Sequence, residues 1–209
     1  MFIKTFFLIL WLFQPETILV DKIAALVNDE IITVSDIEKA ILFYPVLRTK
    51  EESEENFYFK VLQDLINTKA LYLEYQDEFT PSDDDVEQVQ APIIQKAGSL
   101  QNLRQWLKNF NMEWSDFQNF IRPKIIYEKV IREKFPMKIA IQFNEIEDFY
   151  ANEYLPLQRQ LNLEPRSLIE MAPIIEKQLR KSRTEEKLSG WLRDLCSSYK
   201  IEIKIRSGS

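Results

Sequence analysis

The sequence contains no histidine and a single cysteine, Cys196. Histidine is the commonest general base, the usual zinc ligand and the group that activates a serine or cysteine nucleophile. One cysteine allows neither an intrachain disulfide nor a thiolate metal cluster. Proton transfer would fall to carboxylates, lysines and tyrosines. The densest acidic run is Asp83-Asp84-Asp85. It follows Ser82, a good N-cap, and three carboxylates suit the positive end of a helix dipole, so the run reads as a helix start and not as a cation site. Asp21, Asp29, Glu30 and Asp36 fall at turns and caps. No catalytic residue, metal ligand or cofactor site is expected, and no Gly-rich phosphate loop occurs. The net charge of −6 argues against a nucleic-acid partner.

The remaining chemistry is non-covalent. Trp106, Phe110, Met112, Trp114 and Phe117 crowd around a helix break, with Leu107 and Phe120 beside them. Phe57, Tyr58 and Phe59 are consecutive on a helical pattern and cannot all face one side. Seven residues are therefore candidates for contact with apolar segments of another chain: Trp106, Phe110, Met112, Trp114, Phe117, Phe57 and Tyr58. Aromatic and flexible side chains make such a surface tolerant of many sequences. The competing reading is that aromatics at helical spacing are core.

These residues must be positioned by helices. Apolar residues make up 45% of 209, and glycine occurs only 3 times, which disfavours a turn-rich sheet protein. Ile23, Ala25 and Val27 alternate, Asn28-Asp29-Glu30 turns the chain, and Ile31, Ile32 and Val34 follow, which predicts a hairpin. Ser35-Asp36-Ile37-Glu38 has capping-box spacing and predicts the first helix. Residues 56–79 repeat apolar residues at helical steps, and 80–82 end that helix. Ser82 opens a third helix that Gly98 stops, and Ser99 opens a fourth through Phe110. A fifth helix starts at Glu113 or Ser115 and runs to about Lys134, with a kink or split expected at Pro123. Residues 137–143 read as extended, Asn144 as the cap of a short helix over 145–154, and LPLQRQLNLEPRS as a linker. A last long helix covers 167–198, its charged 177–187 stretch facing solvent. Residues 199–206, YKIEIKIR, alternate strictly and predict a half-buried strand.

A hairpin alone is marginal in water, and this terminal strand is the third strand it needs. The expected fold class is mainly α, a multi-helix body closed by a small antiparallel sheet joining the N-terminal hairpin to the C-terminal strand. Ahead of the hairpin, Lys4 and the apolar run FFLILWLF, broken by Pro15, read as a signal peptide over 1–19. The mature chain, 20–209, would then work in the periplasm. The other reading of this segment is an apolar tail that packs on the fold or lies at a membrane surface.

The order of elements, with VDKIAALVNDEIITVSDIEKA at its start, resembles the N-terminal domain of SurA-type periplasmic chaperones. VLQDLINTKALYLEYQDEFTPSDDDVEQ, LRQWLKNFNMEWSDFQNFIRPKIIYEKVI and FNEIEDFYANEY are similar to later segments of that family. The resemblance covers about 20–155, and by order of elements 168–209. It implies a chaperone core in which 156–167 stand where a parvulin domain would be inserted. With no such domain and no histidine, prolyl isomerase activity is not expected. The resemblance further implies an ATP-independent chaperone for unfolded polypeptides, outer-membrane or secreted proteins among them. The alternative is a scaffold of the same fold that binds one specific folded partner.

Overall fold

The computed structural model describes residues 21–135 and 139–205. The signal-peptide reading of 1–19 and the start of the 137–143 connection lie outside the described residues. Strands β1 (Ile23–Val27) and β2 (Glu30–Thr33) form the hairpin, and β3 (Ile201–Ile203) pairs antiparallel with the other side of β1. The sheet order is β2-β1-β3. The helices are α1 (Val34–Phe43), α2 (Glu54–Tyr75), α3 (Asp83–Ala97), α4 (Leu100–Asn109), α5 (Trp114–Lys134), α6 (Phe143–Phe149), α7 (Leu155–Gln160) and α8 (Leu168–Ser197). One π-helical turn, Tyr150–Tyr154, joins α6 to α7. The mainly helical fold closed by a three-stranded sheet is the architecture the alternating termini require.

The hairpin closes on Asn28, whose φ is 53°. Its amide donates to the Lys200 carbonyl and its Oδ1 accepts from the Lys200 amide, both at 2.8 Å. The turn residue itself therefore ties the two ends of the chain together. The simple alternation of β1 is broken by an irregularity between Ile23 and Ala25, which buries Ala24 and leaves Ile23 exposed. A bulge of this kind inserts one residue and rotates the side chains before it. On β3, Ile201 packs against the core while Ile203 stays exposed, so the apolar face of that strand is only partly covered.

Local capping places the helices. α1 starts two residues earlier than the Ser35 motif suggests, because Thr33 caps it and Asp36 completes the box. Ser35 instead donates to the Asp21 carboxylate. Ser82 caps α3 as expected and forms a capping box with Asp85, and Gly98 ends the helix with φ of 83°. Pro123 does not split α5, which runs unbroken from Trp114 to Lys134. α6 is capped by Gln142 and Glu145, not by Asn144. The first part of the expected linker is helix through Gln160, because Pro156 sits at the helix start, where a proline is tolerated.

The core has three apolar clusters. One lies between the sheet, α1 and α2. The second packs Phe43 of α1 against α3, α4 and α5. The third joins Leu71 of α2, Ile126 and Val130 of α5, and Leu192 of α8. The C-terminal half of α8 thus belongs to the helical body. Its N-terminal half pairs with α6 and the π turn, forming an arm.

Candidate functional site

The aromatic candidates are divided between two clusters. Phe117 is completely buried, and Trp106, Phe110, Met112 and Trp114 are half-buried at the margin of the same cluster. The centre of that cluster is Phe43, which meets Phe110, Phe117 and Phe120 edge to face at 6.0, 5.6 and 5.7 Å. Phe57 and Tyr58 are half-buried on the sheet-side cluster. The Arg48 guanidinium lies 6.0 Å from the Phe57 ring, and that of Arg104 lies 5.8 Å from Trp114. Phe117 is thus core, and the other six each keep part of their surface open, in two separate clusters.

The large exposed apolar side chains concentrate elsewhere. Leu157, Leu161, Leu163, Ile169 and Ile174 are 50%, 55%, 56%, 87% and 50% exposed, and all belong to the arm. Phe143 at the start of α6 is exposed too. Leu157 and Leu161 stand one helical turn apart on α7. Polar and aromatic contacts tie the arm together. Tyr150 and Tyr154 stack at 5.3 Å. The Tyr150 hydroxyl donates to the Arg166 carbonyl at 2.7 Å, and the Arg166 amide donates to the Tyr154 hydroxyl at 3.0 Å. Glu145 of α6 pairs with Arg183 of α8. After α7 the chain turns through Asn162, with Leu163 N–H reaching the Gln158 carbonyl at 2.9 Å. Sequence reasoning placed these leucines in a linker. Their signal was the recurrence of Leu155, Leu157, Leu161 and Leu163 in an otherwise polar stretch.

Clefts surround the first half of α5. One of about 150 Å³ opens between β2, α2 and α5, with Ile32, Leu65 and Phe120 on its walls and Asp36 and Lys69 at its rim. A second of about 170 Å³ lies between α3 and α5 and includes Pro92, Gln88, Lys124 and Glu128. Tyr44 borders both. A third, of about 390 Å³, lies against Thr80, Val86 and Arg122, and Asn119 borders it as well as the first.

The charged groups are structural. Asp85 accepts from the Ser82 amide at 2.9 Å, from Lys129 at 2.9 Å and from Arg132. Burial pushes its carboxyl up, but these donors outweigh burial and hold it well below the usual carboxylate range. Lys96 donates to the Ile41 and Tyr44 carbonyls at 2.7 and 2.6 Å, capping the C-terminal end of α1 with a cation. Partial burial raises the Cys196 thiol, which keeps it protonated and unreactive near pH 7.

No family model matches the chain. A stretch of 102 residues, 46% of this chain, is 33% identical to the oligopeptide transport ATP-binding protein OppF of Mycoplasma genitalium. The chain spans 11% of the length of that protein, and a likeness of this extent carries no activity over to it.

Proposed function

We propose that this chain is the core of a SurA-type chaperone: an ATP-independent, extracytoplasmic holder of unfolded outer-membrane or secreted polypeptides, without prolyl isomerase activity. The observation that carries this reading is the concentration of exposed leucine and isoleucine on the arm. Exposed apolar side chains gathered on one part of a fold offer a binding surface for apolar segments. Full burial of such a side chain is worth about 1.5–3 kcal/mol, so a client that covers the exposed half of one contributes about 1 kcal/mol. Several contacts together offset the cost of ordering a client segment, while each one alone can let go. Release then needs no nucleotide, because the client leaves when its own folding buries the segments that were held. The resemblance of the hairpin and capped helices to the SurA family supports the same reading, as does the apolar N-terminal run for extracytoplasmic work.

Gel filtration tests it. A urea-unfolded outer-membrane protein diluted into the chain, with no nucleotide present, is expected to elute with it as a soluble complex. The same client, folded beforehand in detergent, is expected to elute separately. Co-elution with the folded form alone would overturn the reading in favour of a scaffold for a folded partner.

A further inference from the structure

In an α-helix each N–H bonds the carbonyl four residues back, and proline has no N–H to give. Pro92 and Pro123 are each the tenth residue of their helices, far from the first turn where proline is tolerated. Pro92 therefore leaves the Gln88 carbonyl without its regular partner, and Pro123 does the same to Asn119. Residues four apart share one helix face. Pro92 and Gln88 border the same cleft, as do Pro123 and Asn119 in the cleft beside it. No loop amide or side chain among the described residues donates to either carbonyl. The Gln88 side-chain oxygen already accepts from Arg132. Tyr44 borders both clefts, which therefore neighbour each other.

We propose that these neighbouring clefts hold an extended polypeptide segment through its backbone N–H groups, with the Asn119 and Gln88 carbonyls as acceptors. The occupant follows from complementarity. Two acceptors that lack their regular helical donors, beside apolar walls, suit a ligand with unpaired N–H donors and apolar side chains. An unfolded chain has both. A helix or folded domain has already paired its N–H groups, a lipid tail has none, and a polyanion would meet carbonyl oxygens. The rim carries both signs, Asp36 and Lys69 on one cleft and Lys124 and Glu128 on the other, so it selects no client charge. Recognition through backbone groups is independent of sequence, as a general holder requires. The same device recurs on the arm, where Pro173 frees the carbonyl of the exposed Ile169. This inference rests on the reading of the chain as a holder of unfolded polypeptides.

The test uses a fluorescein-labelled peptide of alternating valine and threonine with lysine ends, and the same peptide N-methylated at alternate amides. Anisotropy is expected to show the wild-type chain binding the parent peptide at least tenfold more tightly than the methylated one. The double variant Pro92→Ala, Pro123→Ala gives both carbonyls back their helical donors. It is expected to melt higher than wild type, yet to bind the parent peptide only as well as the methylated one. Equal affinity of the wild type for both peptides would overturn the inference, as would unchanged parent affinity in the more stable variant. If the peptides bind alike while the chain still prevents aggregation of an unfolded protein, this site is wrong and the holder function stands. If the chain does neither, both fall together.

Discussion

Asn28, Asn111 and Asn162 are the non-glycine residues with positive φ among those described, at 53°, 52° and 53°. A short amide side chain tolerates the left-handed region better than other non-glycine residues do. At Asn111 the turn after α4 is a Schellman motif, with Met112 N–H on the Leu107 carbonyl and Asn111 N–H on Lys108, at 3.0 and 3.1 Å. The loop that delivers Trp114 to the core depends on that turn. Asp85 carries the clearest single-residue prediction. Its folded pKa lies below the unfolded value, so the stability it contributes is present above about pH 4 and is lost as pH falls towards the folded pKa. Asp85→Asn is expected to cost about 2 kcal/mol at pH 7 by urea titration. The gap to wild type should narrow below pH 4; a gap that does not change with pH would contradict the ion-pair account.

Among the elements, the capping signals were the most legible. Ser82, Ser99 and Ser167 act through atoms three residues away, so sequence alone contains the whole interaction. The third strand was legible from the strict alternation of 199–206, of which Ile201–Ile203 form the paired strand. The bulge at Ala24 and the continuation of helix through the π turn were not, because both depend on packing against distant residues. Thr33 took the cap that Ser35 seemed to hold because the hairpin register places it at the end of β2. A chain ending at Ser198 lacks β3, the Lys200 contacts of Asn28, and the partly buried Tyr199, Ile201 and Ile205. That loss is worth about 3 kcal/mol, which should lower Tm by about 10 °C in calorimetry. An unchanged Tm would mean that the sheet does not close the fold.

In the whole molecule, a rigid helical body carries a helical arm whose apolar side chains face solvent. The candidate site was only partly legible. The aromatic stripe drew attention because it is dense, and the structure buries Phe117 of it against Phe43 while leaving Trp106, Phe110, Met112 and Trp114 half-buried. The arm was hidden because exposure is a property of what fails to pack, and no local pattern reports it. The clefts needed the structure to bring Gln88, Tyr44 and Asn119 together from three helix regions. The most direct measurement is light scattering of an unfolded outer-membrane protein diluted from urea, without ATP, with wild type or Leu157→Ser, Leu161→Ser, Ile169→Ser. Wild type near equimolar amounts is expected to suppress most of the scattering. The triple variant should melt within a few degrees of wild type, because these side chains are already exposed, and lose most of that protection. Scattering unchanged by wild type across several unfolded clients, or full protection by the variant, would contradict the account.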